Sequence, residues 1–526
     1  MPRRACLPRL MLAVLLCAAG GVLAAPEAAV DDAAAKAGAD AAPLRRLPVE
    51  SAVTSEHQVV IRGKRVPYEA TAGTQPVWDD DGKAIASLFY TYYRRTDVRD
   101  VATRPLLISF NGGPGSASVW MHVAYTGPKT LRIDDEGFPV QPYGVDDNPF
   151  SVLDVADIVF VNPVNTAYSR IVRDADEAAD PEADAKRFFG VNADIEYLAE
   201  WLNTFVARAE RWRSPKYLIG ESYGTTRVSG LALELQNAQW MYLNGVILVS
   251  PTDLGLARGG PVEAANRLPY FTAAAWYHGR LPPELQARDL DDLLPEVEAW
   301  TVEELMPAIA LGGALEPARR DAVAAQVAAW SGLSKRAVLQ SNLTVEPRFF
   351  WKELLRDRGQ TIGRLDSRYL GIDGEDVGAA PDYNAELTSW LHAFTPAINA
   401  YLREDLGFET DVKYNMFGDV HPWDDRDDET GAQLRQAMAQ NPFLKLMVQS
   451  GYYDGATNYF DAKYSMRQLD PSGRMAERMR FEAYRSGHMM YLRREDLERA
   501  NRHIREFIEW STPASAARYE PAPVQE

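Results

Sequence analysis

Tyr217-Leu218-Ile219-Gly220-Glu221-Ser222-Tyr223-Gly224 is the stretch on which the fold turns. A short apolar run ends at Gly220, and a helix-like run begins after Tyr223. Between them lies the pattern Gly-x-Ser-x-Gly. On a sharp strand-to-helix turn a serine projects its hydroxyl above the end of a sheet. The flanking glycines are needed because side chains there would clash with the neighbouring strand and helix. Alone, the five-residue match is weak and also fits an ordinary strand–helix turn. Its position between strand and helix strengthens it.

Outward from that turn, short apolar runs recur at residues 106–111, 158–162, 246–250, 444–449 and 481–484. Such runs suit strands buried on both faces. Helical periodicity lies between them, as at residues 195–209. The alternation predicts an α/β fold with a mostly parallel central sheet and helices on both faces. Upstream, residues 59–61 and 85–93 read as strands, with Asp81-Gly82 as a hairpin turn between them. Residues 254–400 break the alternation and read as a mainly helical insertion. We therefore divide the chain into a signal peptide (1–24), a flexible leader (25–50), a first core segment (51–253), a helical cap insertion (254–400), and a second core segment with a tail (401–526).

Serine is a poor nucleophile without a base, and the base needs an orienting acid. Only two of the seven histidines lie beyond residue 421. His503 falls in the final helical pattern, whereas His488 follows a predicted strand. Asp454 follows another predicted strand and lies between Ser222 and His488 in the chain. Taken alone, Asp454 before Gly455 fits a turn as well as catalysis. The order Ser, acid, His and the shared placement at strand ends select Ser222, Asp454 and His488 as the catalytic set. Asn111-Gly112-Gly113-Pro114-Gly115-Ser116 directly follows the first of the core strands. A glycine turn there can aim backbone N–H groups at a developing oxyanion, with Tyr223 N–H as second donor. It lacks the Gly-Lys-Ser/Thr ending of a phosphate loop, so nucleotide binding is not expected.

Together these motifs resemble the serine carboxypeptidases, peptidase family S10, of the α/β-hydrolase fold. The resemblance rests on Asn111-Gly112-Gly113-Pro114-Gly115, Gly220-Glu221-Ser222-Tyr223-Gly224, Asp454 and Gly487-His488-Met489, and more weakly on residues 162–169. It spans roughly residues 55–510. It implies removal of C-terminal residues from peptides through an acyl-enzyme. Ser222 would attack, His488 would shuttle the proton, and Asp454 would orient it. The N–H groups of Gly113 and Tyr223 would form the oxyanion hole. Asn111, Gly112 and Glu221 would hold the substrate's free carboxylate, and Met489 would line the leaving-residue pocket. Glu221 would then have to be protonated, so peptidase activity is expected to favour acidic pH. Ser116 stands where the family usually has cysteine, and the altered segment Asn165-Thr166-Ala167 leaves the subsite preferences open. An esterase or acyltransferase with the same triad is the alternative, and a catalytically silent binding protein a more distant one.

The chain has 526 residues, 46% hydrophobic and 25% charged, with a net charge of −18. That balance is globular, and its acidity argues against nucleic acid and anionic membranes as partners. Arg3, Arg4 and Arg9 precede an apolar stretch too short to span a bilayer, and Val22 and Ala24 fit a signal-peptidase site. The expectation is export to the periplasm or beyond. A twin-arginine signal and a lipid anchor at Cys17 fit less well. Both cysteines, Cys6 and Cys17, fall within that segment, so the mature chain has no thiol chemistry. No cofactor or metal is expected: the acidic loop around His421 lacks zinc-type spacing. Oligomeric state is left open.

Overall fold

The computed structural model of the chain describes residues 45–174, 178–256 and 259–512. The signal peptide assigned to residues 1–24 lies outside them, as does the leader up to residue 44. The centre of residues 46–512 is a ten-stranded sheet. Nine strands form its path: β1 (Ser51–Ile61), β2 (Lys64–Trp78), β3 (Ala84–Arg95), β4 (Leu106–Phe110), β5 (Asp157–Val161), β6 (Lys216–Glu221), β7 (Gly245–Val249), β8 (Lys445–Gly451) and β9 (Met479–Tyr484). Their order across the sheet is β1-β2-β3-β5-β4-β6-β7-β8-β9, with the short strand Arg170–Ile171 beside β3. From β5 to β9 every pairing is parallel. β1, β2 and β3 form an antiparallel flank, and β3 joins β5 antiparallel.

Sequence periodicity explains the two halves. β4, β5 and β7 are buried at every residue, as strands covered on both faces must be. Alternate side chains enter opposite cores. Leu106, Ile108, Leu218, Val246 and Leu248 meet the helices Val191–Arg208 and Tyr223–Asn237 on one face. Leu107, Ile219, Ile247 and Val249 meet the final helix Arg494–Ser511 on the other, through Ile504, Phe507 and Ile508. The antiparallel flank closes with tight turns. Arg62 and Gly63 both take positive φ, the signature of a two-residue hairpin. Gly82 occupies the expected turn before β3 at φ +76.

Between β7 and β8 the chain leaves the sheet for a run of helices, chief among them Gly260–Tyr277, Leu290–Trp300, Pro317–Ser331 and Ala385–Ala400. The first three share a core of their own, built around Phe271, Val297, Val327 and Phe350. Aromatic side chains fill this core: Phe350 stacks on Phe271 with ring centroids 4.1 Å apart, and Trp351 donates to the Tyr270 hydroxyl at 2.9 Å. No helix among the described residues is long and apolar enough to cross a membrane.

Candidate active site

β6 ends at Glu221 and the next helix begins at Tyr223, so Ser222 makes the whole turn. It does so at φ 59 and ψ −129, a strained backbone for a residue with a side chain. A Cβ at Gly224 would lie 2.9 Å from Phe110 O, and one at Gly220 would collide with Gly224 O. Glycine at both positions lets strand, helix and the loop after β4 close on one point. Tyr223 opens the helix, so its N–H has no intrahelical acceptor. The loop Asn111-Gly112-Gly113 lies directly against it: a Cβ on Gly112 would sit 2.5 Å from Tyr223 N.

Residues outside the sequence motifs hold that loop. Arg227, one turn into the helix and fully buried, donates to Asn111 O at 2.6 Å and Pro114 O at 3.4 Å. Its Nε donates to Asp194 Oδ2 at 2.7 Å, and the Tyr197 hydroxyl donates to Asp194 Oδ1 at 2.8 Å. Nothing in the local sequence marks Arg227 or Asp194, since their ion pair spans 33 residues and the Asn111 carbonyl that Arg227 holds lies 116 residues away.

Asp454 and His488 sit on the loops after β8 and β9. His488 Nδ1 lies 2.6 Å from Asp454 Oδ2. The other carboxylate oxygen accepts from the N–H groups of Ala456 at 2.8 Å and Thr457 at 3.1 Å. Thr457 Oγ1 lies 2.8 Å from Asp454 Oδ2, a partner the sequence reading missed. With Nδ1–H directed at a carboxylate, the neutral ring keeps its lone pair on Nε2. The backbone of His488 is gripped from both sides: its N–H donates to Leu365 O at 2.7 Å, and its carbonyl accepts from Ser250 Oγ at 2.8 Å. Burial opposes the imidazolium, but the Asp454 charge and hydrogen bond, with the Glu221 charge, outweigh it and raise the net pKa. His503, the other late histidine, is engaged with Tyr484 instead.

Ser222 and His488 line one cavity of ≈ 190 Å³. Asn111, Gly112, Gly113, Glu221 and Met489 line it too. Asp454 stands behind His488, and Tyr223 behind Ser222. The structure thus gathers every site residue singled out in the sequence around this cavity. Trp120, Leu387, Trp390 and Phe417 add an apolar wall. Glu221 is buried and accepts from Asn111 Nδ2 at 3.0 Å and from the Tyr491 hydroxyl. Burial pushes its pKa up to about 7; the His488 charge and both hydrogen bonds pull the other way and lose. Tyr491 is a further residue the sequence did not mark.

Residues 64–254 match the family model of the serine carboxypeptidases. Serine carboxypeptidase-like 16 of Arabidopsis thaliana is 27% identical over 214 residues, 38% of this chain and 44% of the relative. Serine carboxypeptidase-like 8 of the same plant is 26% identical over 212 residues, 39% and 44% of the two chains. The chain spans under half the length of the curated relatives it matches. Among solved structures, Kex1(delta)p, a prohormone-processing carboxypeptidase of Saccharomyces cerevisiae, aligns over 84% of this chain and 91% of its own. The TM-score is 0.50 at 12% identity, a likeness of fold. That fold is the α/β hydrolase.

Proposed function

We propose that this chain, a member of the serine carboxypeptidase family, removes single residues from the C-termini of peptides. Ser222 Oγ attacks the last peptide carbonyl while His488 Nε2 takes its proton. The N–H groups of Gly113 and Tyr223 receive the oxyanion. On collapse His488 passes the proton to the leaving amine, and an acyl-enzyme remains on Ser222. Water, deprotonated by the same imidazole, then releases the shortened peptide. Asp454 keeps the ring in its productive tautomer throughout, and Thr457 holds Asp454.

The observation that carries the reading is Glu221, buried in the same cavity as the nucleophile with its pKa pushed up to about 7. A protonated carboxyl can donate to a carboxylate, whereas two ionised ones repel. Asn111 Nδ2 gives one hydrogen to Glu221 and has a second for the substrate. Acyl transfer from simple esters has no use for this arrangement. Export by residues 1–24, and the helices between β7 and β8 acting as a cap over the site, belong to the same proposal.

Incubation of a defined peptide, followed by mass spectrometry, tests it. The expected result is a ladder of losses of one residue at a time from the C-terminus, with far slower loss from the C-terminally amidated peptide. Internal cuts, or equal attack on the amide, would contradict the reading.

A further inference from the structure

Arg364 lies in the segment that follows β7 and precedes β8, far from every motif of the catalytic set. Its backbone is fixed beside the site: Arg364 O accepts from Gly455 N–H at 2.9 Å, and the next residue's carbonyl binds His488 N–H. Arg364 lines the cavity that holds Ser222 and Glu221. Its guanidinium charge reaches the His488 ring. The side chain is exposed and makes no hydrogen bond or ion pair among the described residues. Arg368, four residues on, is the contrast: it is buried and locked on Asp366 at 2.7 Å. Of the groups lining the cavity, Arg364 is the one permanent cation, on a chain whose net charge is −18.

A peptide's last residue would place its α-carboxylate at Asn111, Gly112 and Glu221. Its side chain then has the rest of the same small cavity to fill. There it meets an apolar wall, Trp120 and Trp390 among it, and the Arg364 guanidinium. A short apolar stem ending in a carboxylate satisfies both, because a guanidinium binds a carboxylate by two parallel hydrogen bonds. We propose that Arg364 makes this enzyme select substrates whose C-terminal residue is acidic. The inference rests on the carboxypeptidase reading above.

The test uses N-blocked phenylalanyl dipeptides ending in glutamate, glutamine or lysine, at low salt between about pH 5 and 6. There a glutamate side chain is ionised, because its ordinary pKa is about 4.3. In the wild-type enzyme kcat/KM for glutamate should exceed that for glutamine about tenfold, the order expected of a charge-assisted pair at a partly solvated site. In Arg364→Gln the ratio should fall to near one, and in Arg364→Glu lysine should overtake glutamate. Added salt should compress the wild-type ratio. Wild-type cleavage of all three peptides without preference for glutamate overturns the assignment while leaving the carboxypeptidase reading intact. A preference that persists in Arg364→Gln does the same. If wild-type enzyme cleaves none of them, both fall.

Discussion

Glu221 and His488 share a cavity, and each alters the other's proton affinity. While Glu221 is ionised its charge favours the imidazolium; once Glu221 takes a proton, that part of the upward shift on His488 disappears. On the proposed reading, protonation of Glu221 would equip it to bind a carboxylate, and the loss of its charge would lower the pKa of His488 and so limit the imidazolium that the same acid produces. Glu221→Gln should shift the acid limb of the kcat/KM profile, which reports the free enzyme, to lower pH. It should also abolish the rise in KM for free-acid peptides that is expected of the wild type as pH climbs through about 7. Stopped assays over the pH range check both; an unmoved acid limb would mean the two groups are uncoupled. At this scale the sequence was readable where chemistry is written locally. Ser222 sits in a five-residue pattern, and Asp454 and His488 end strands that periodicity marks. Tyr491, Asp194 and Arg227 were not readable, because a hydrogen bond across 33 or 270 residues leaves no local trace.

Strands, turns and loops decide where those groups point. Gly112 leaves no room for a methyl beside Tyr223 N, so Gly112→Ala should push the glycine loop away from the helix start. A loss in kcat of about a hundredfold or more is expected, the order seen when one oxyanion donor is removed. Arg227 holds the same loop through its pair with Asp194. Arg227→Met should cost about 3–5 kcal/mol of stability, because it strands a buried carboxylate. Arg227→Met/Asp194→Leu should regain most of that stability while kcat stays low, since Asn111 O and Pro114 O remain unheld. Denaturant melting beside steady-state kinetics separates the two effects; recovery of kcat in the double variant would remove the loop-holding role. Elements were legible in proportion to their periodicity. The buried runs of β4 to β8 stood out, each found within a residue or two of its true ends. β2 did not, because Pro67, Gly73 and Pro76 argue against an inner strand. Gly73 is there for a tertiary reason: a side chain would strike the Ser51 end of β1.

Across the whole molecule, the segment between β7 and β8 is tied to the loop that carries His488. Glu386, on the helix Ala385–Ala400, accepts from Leu365 N–H at 2.8 Å, and Leu365 O in turn accepts from His488 N–H. Glu386→Ala should therefore lower kcat, by about tenfold if one backbone anchor of His488 loosens. An unchanged kcat would show that Ser250 alone holds the histidine. Burial of Glu221 also has a thermodynamic consequence. A carboxyl whose folded pKa is raised holds its proton more tightly in the native state. Its stabilisation is complete below the unfolded value near 4.5 and is lost as pH rises through about 7. Glu221→Gln lacks that titration. Relative to wild type the variant should gain roughly 3 kcal/mol between those limits and nothing beyond. The insertion's helical character was legible in its composition, but its path back to His488 was not, since it depends on packing between segments over a hundred residues apart.

The central claim is that Ser222 and a protonated Glu221 act on the same substrate, one on the scissile carbonyl and one on the free carboxylate beside it. The most direct measurement is hydrolysis of an N-blocked dipeptide and of its C-terminal amide, side by side from acidic to neutral pH, with Ser222→Ala as control. The account predicts that the free acid is cleaved best at acidic pH and fades as Glu221 ionises. The amide should be a poor substrate whose KM lacks that rise, and Ser222→Ala should lower kcat by up to about a millionfold. Identical pH profiles for acid and amide would contradict the role of Glu221, and activity surviving in Ser222→Ala would contradict the nucleophile.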